Sequence, residues 1–74
     1  MKENKISQKK QFHLTPRQIE VLELLAQGLM NKEIAFRMEK SISTIKLHIS
    51  GMMLRLNVNT RTGIVIKAQE LGLI

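Results

Sequence analysis

The stretch Ser41 to Asn57, SISTIKLHISGMMLRLN, holds most of the side chains with which this chain could act on a ligand. Ser41, Ser43 and Ser50 are hydroxyl nucleophiles in principle and His48 a base, but a catalytic base needs a third group to orient it, and the stretch has no carboxylate. The chain has no Cys and no Asp, and its four glycines are dispersed instead of forming a phosphate loop. These features argue against an enzyme. His48 has no second ligand one turn further on, since Ser50 to Met53 offers none, so no metal and no other cofactor is expected. Anion binding remains. Hydroxyls at Ser41, Ser43 and Thr44 would crowd the positive end of a helix, with Lys46 two residues beyond, and that is a seat for phosphate. Taken alone, the same residues fit an ordinary capped core helix better.

The elements that position this stretch follow from periodicity. Advancing about 100° per residue puts Ile42, Ile45, Ile49, Met52, Met53 and Leu56 on one flank, a core face. Ser43, Leu47, Ser50 and Leu54 fall on the opposite flank, with Lys46 at its border, so the outer surface is short, partly polar and able to lie flat against a partner. Ser41 is the expected N-cap and Asn57, which tolerates the left-handed conformation, the expected C-terminal stop.

Upstream, Thr15-Pro16-Arg17-Gln18 combines an N-cap, a proline at the first helical position and a glutamine placed to close a capping box. Ile19, Leu22, Leu25 and Leu29 then recur at helical spacing with Val21 and Ala26 beside them, Glu20, Glu23 and Gln27 point away, and Gly28 ends the helix. A short helix is expected from Asn31 as N-cap to Met38, with Ile34, Ala35 and Met38 on one side. The brief break at Glu39 and Lys40 before Ser41 is the spacing of a helix-turn-helix. Thr60 caps a last helix, Arg61 to about Leu71, whose apolar side is Ile64, Val65, Ala68 and Leu71, and Gly72 closes it. The fold class is therefore all-α, a four-helix domain containing a helix-turn-helix.

With 74 residues there is room for one small domain, near the lower limit at which a hydrophobic core alone holds a fold together. The lack of Cys removes disulfides and thiolate metal sites as supplements and suits a cytoplasmic protein. No apolar run approaches the roughly 18 residues of a membrane span. Twelve Lys and Arg against six Glu leave a net charge of +6 and a pI of about 10.2, which favours a polyanionic partner: nucleic acid first, an anionic membrane surface second. Half of the excess sits in Met1 to Gln11, where Lys2, Lys5, Lys9 and Lys10 oppose Glu3. Residues 1–13 read as a flexible basic arm or linker with almost nothing to bury, and 14–74 as the folded domain.

The segments LTPRQIEVLELLAQGLMNKEIAFRM, STIKLHIS and RLNVNTRTGIVIKAQELGLI resemble, in order and spacing, the LuxR/FixJ-type helix-turn-helix DNA-binding domain of bacterial transcription regulators. The resemblance covers about Leu14 to Ile74. It implies a sequence-specific regulator of transcription, or the effector domain of a response regulator, that binds double-stranded DNA with its third helix in the major groove. By the same resemblance Lys46, Leu47 and Ser50 are the base-contact positions, and they lie on or beside the outward flank found from periodicity. Lysine can donate to a guanine edge or a phosphate, leucine can lie on a thymine methyl, and serine can donate or accept. Asn31, Lys32, Ser43, Thr44, His48 and Arg61 are the implied phosphate contacts, with a structural role for Arg61 left open. A homodimer on DNA, formed through Val65, Ile66, Ala68 and Gln69 of the last helix, and RNA polymerase are the further partners expected.

Four positions depart from the family pattern. Glu39 and Lys40 replace a small and an aliphatic residue at the turn, which predicts a looser turn with Ile42 swung in as a substitute anchor. Gly51 lies mid-helix, where it costs about 1 kcal/mol relative to Ala; it either permits close approach of DNA or of another backbone or is simply tolerated, and toleration is the favoured reading. Leu54 stands where a basic residue is common. A rival class is a helical protein-interaction module that uses the apolar last helix and Leu54, its charge serving solubility alone.

Overall fold

The structure, a computed structural model, describes residues 13–74; the basic arm expected at the N-terminus lies, apart from His13, outside the described residues. Four helices make up the described part: α1 Pro16–Ala26, α2 Asn31–Met38, α3 Ile42–Leu56 and α4 Arg61–Glu70. Helix α3 packs against all three others and is the centre of the domain; α1 also meets α2 and α4. No strand occurs among the described residues.

Local signals set most of the helix ends. The Thr15 hydroxyl accepts from the Gln18 amide at 3.1 Å while the Gln18 side-chain oxygen accepts from the Thr15 amide at 2.9 Å, the reciprocal pair expected from the sequence. Gly28, at φ 89°, follows the end of α1 in a conformation that side chains avoid. Ser41 and Thr60 cap α3 and α4 through their hydroxyls, accepting from the amides of Thr44 and Gly63. Asn57 stops α3 at φ 57° and ψ 48°.

The core gathers one stripe from each helix. Val21, Leu22 and Leu25 of α1, Ile34 and Ala35 of α2, Ile45, Ile49, Met52 and Leu56 of α3, and Ile64 and Ala68 of α4 are buried, with Leu14 ahead of α1 joining them. Val58, from the connection between α3 and α4, and Leu73, from the segment after α4, pack against the edges of the core. Burying these stripes together supplies the main driving force, because no single helix of this length is stable alone in water.

Several expectations are corrected. The N-cap of α2 is Met30, not Asn31, which is the first helical residue; the Met30 amide is taken up by the Glu33 side chain at 2.8 Å. Asn31 is thereby free to use its side chain elsewhere. The turn after α2 is not loose: Glu39 adopts the left-handed conformation at φ 56°, and the Lys40 amide reaches back to the Ala35 carbonyl at 2.9 Å. This backbone closure of the Schellman type needs no apolar anchor. Ile42 accordingly remains 43% exposed and is no part of the core flank. Ala26 is exposed as well, so the buried stripe of α1 is narrower than its apolar residues suggested.

Gly51 lies close against α1, so a side chain there would have to displace the end of a neighbouring one. A Cβ there would lie 2.8 Å from Nε2 of Gln18, a residue only 8% exposed. Displacing that amide strains the hydrogen bond in which Gln18 Oε1 accepts from the Thr15 amide. Gly51→Ala is therefore expected to forfeit its gain of about 1 kcal/mol in helix propensity to this clash, and to recover it in a Gln18→Ser background. Chemical denaturation of the two singles and the double checks this; strict additivity would show that the contact carries no energy.

Candidate nucleic-acid interface

The face of α3 turned away from the core consists of Ser43, Lys46, Leu47, Ser50 and Leu54, all exposed. Leu47 is 73% exposed and Leu54 83%, fractions that no packing within the monomer explains. The opposite flank holds Ile45 and Met52 at 0% exposure, so the periodicity of this one helix divides it into a buried and an open side. Lys46 is the one cation on that open side, since the other basic residue of α3, Arg55, donates from Nη1 to the His13 carbonyl at 2.7 Å.

At the start of α3 the hydroxyls are partly committed. The Ser41 hydroxyl donates to Thr44 Oγ1 at 3.0 Å and accepts from the Thr44 amide at 3.1 Å, whereas Ser43 is exposed. The first-turn amides that α-helices leave without internal partners open at this end, with the dipole adding a positive potential. His48 is half-buried between the two flanks.

Arg61 joins α4 to α2. Its guanidinium donates through Nη1 to Asn31 Oδ1 and through Nη2 to the carbonyl of Leu29, both part-buried contacts. Asn31 is half-buried by this arrangement and Lys32 beside it is exposed, so Arg61 holds the residues that begin α2 while Lys32 extends outward. The sequence left the role of Arg61 open; in the structure its guanidinium ties the start of α4 to the start of α2. Neither this bridge nor the tether from Arg55 to His13 was legible in the sequence. Both join segments 30 or more residues apart and have no local signal.

Of the residues expected on α4 for self-association, Ile66 is 50% exposed, Gln69 is exposed and Val65 is half-buried. Ala68 is corrected: at 0% exposure it is part of the monomer core, facing inward with Ile64, and offers no surface to a partner. Among the described residues no group of three His, Asp or Glu could hold a metal ion, and no helix is long and apolar enough to cross a membrane.

A short helix, a closed tight turn and a longer helix with an open, hydroxyl-started face, both packed on a supporting helix, define a helix-turn-helix domain. Residues 13–68 match the family described as bacterial regulatory proteins, luxR family. The chain is 41% identical over 59 residues to the response regulator Rre1 of Synechocystis, covering 80% of this chain and 26% of the relative. It is 43% identical over 61 residues to the response regulator protein VraR of Staphylococcus aureus, covering 82% and 29%. To the nitrate/nitrite response regulator protein NarL of Escherichia coli it is 44% identical over 48 residues, covering 65% and 22%. The chain belongs to the luxR family of bacterial regulatory proteins and is a LuxR-type helix-turn-helix DNA-binding domain. It spans roughly a quarter of the length of these curated relatives.

Proposed function

We propose that this chain binds specific double-stranded DNA sequences with α3 in the major groove and acts on transcription in the bacterial cytoplasm, alone or as the effector part of a response regulator. The observation that carries the reading is the open face of α3, whose exposed residues have no use within the monomer. Lys46, Leu47 and Ser50 read base edges. Lys32, Ser43, Thr44 and His48, with the amides that begin α2 and α3, hold the phosphate backbone and set the register of the helix. Asn31 and Arg61 contribute to that seat by holding the first turn of α2 in place.

The test is salt. Titration with duplex DNA at two ionic strengths is expected to show affinity falling steeply as salt rises, because bound cations release counterions from the phosphates. Lys46→Ala is expected to weaken binding further by about 1 to 3 kcal/mol, the range of one good major-groove contact. Absence of binding even at low salt would overturn the proposal and favour a protein-interaction module.

On DNA two copies pair through α4, with Ile66, Gln69 and the exposed part of Val65 at the contact, so that two reading helices face successive half-sites. Contact with RNA polymerase would use surface that this arrangement leaves open. Ile66→Glu is expected to abolish cooperative occupancy of paired half-sites while leaving single half-site affinity within about twofold, since Ile66 is half-exposed and its loss disturbs little of the core. Gel shifts on one-site and two-site duplexes distinguish the two effects, and unchanged cooperativity would place the contact elsewhere.

A further inference from the structure

Leu54 is the most exposed apolar residue of α3, at 83%, and lies beyond Lys46, Leu47 and Ser50 along the same open face. Seven residues separate it from Leu47, which on a helix is about 20° short of two full turns, so the two leucines share one stripe about 10 Å apart. Ser50 and Gly51 lie between them, one small and one without a side chain, so nothing projects beyond the leucines along that stripe. No charge falls on it: Lys46 borders it, and Arg55 is turned to the His13 carbonyl.

The major groove offers one apolar feature, the C5 methyl of thymine, while every other base edge presents donors and acceptors. Two bare leucines pressed against donors and acceptors would desolvate them without satisfying them, and that is unfavourable. A helix lying in the groove can present positions i, i+3, i+4 and i+7 to bases, the span from Leu47 to Leu54. Resting on the proposed DNA-binding reading, we propose that Leu54 is a specificity-determining residue which, together with Leu47, selects C5 methyl groups at two positions of each half-site. With base steps of about 3.4 Å along the duplex and the added arc of the groove, the two methyls stand about two to three base pairs apart. A 5-methylcytosine at either position carries the same methyl at the same place in the groove and would be accepted by the leucine there.

The experiment uses the full chain and a half-site duplex chosen by its binding from a random pool. Each thymine is replaced in turn by uracil, which keeps every hydrogen-bonding group and removes only the methyl. Two positions two to three base pairs apart are expected to lose affinity about three- to fivefold each, the factor that burial of one methyl-sized group supports. Leu47→Ala is expected to remove the sensitivity at one of them and Leu54→Ala at the other; both side chains are exposed, so circular dichroism should show both variants folded. Tight binding that ignores every uracil, or a Leu54→Ala variant with the original uracil profile, overturns the proposal while leaving DNA binding intact. Failure to bind any duplex at low salt removes the DNA-binding reading itself and this inference with it.

Discussion

Ile45→Ala is expected to lower the stability of the domain by roughly 2 to 5 kcal/mol, the range for emptying a fully buried aliphatic site that cannot collapse. Ile45 is 0% exposed one turn into α3, the helix that touches the other three, so the cavity would open within the core they share. A domain of this size has a total stability of about 4 to 11 kcal/mol, so the change removes a large share and leaves an appreciable unfolded fraction at growth temperature. Leu47→Ala, two residues on and nearly the same in chemistry, is expected to change stability by less than about 0.5 kcal/mol because Leu47 is 73% exposed. Urea denaturation of both variants reads the contrast directly as a shift in midpoint at constant slope. Equal losses in the two would mean that α3 is not divided into a core flank and an open flank, and the interface drawn from that division would go with it.

Arg61→Ala is expected to cost about 2 to 3 kcal/mol, through the loss of charge-assisted hydrogen bonds to the Leu29 carbonyl and to Asn31. For a domain of this length that corresponds to a fall in Tm of about 10 °C or more. Arg61→Lys should recover less than half of the loss, because a single ammonium cannot reproduce the planar fork that reaches two acceptors at once. The bridge spans the start of α4 and the start of α2, so its removal loosens the first turn of α2, where Lys32 is carried. Affinity for DNA should then fall through ordering of that turn, with the dependence on salt nearly unchanged. A variant that kept its Tm but lost about one unit of salt slope would show instead that Arg61 spends its charge on a phosphate.

Why some features were legible in the sequence and others were not follows from how far each interaction reaches along the chain. The capping pair of Thr15 and Gln18, the hydroxyl caps at Ser41 and Thr60 and the stop at Asn57 are formed within four residues, and each was visible in the residues themselves. Asparagine is a common cap, yet the cap of α2 is Met30, one residue earlier, because Arg61 claims the Asn31 side chain and Glu33 takes up the amide of Met30. For Gly51 the sequence allows either a close approach of DNA or backbone or simple tolerance, and does not show what the residue faces. The group it faces, the amide of Gln18, comes from a different helix.

By itself the amino-acid sequence determined the number of helices, most of their ends, the inward stripe of each and the outward face of α3. These are consequences of hydrogen bonds and side-chain periodicity within one or two turns. Only the tertiary structure decided that Ala68 is covered too completely to meet a second copy, that Ile42 is no part of the core, and that Arg61 and Arg55 serve as ties within the monomer. Those outcomes depend on how the helices approach one another in space. An amphipathic pattern says which side of a helix avoids water, but which residues at its margins are covered is settled by the neighbours that pack there.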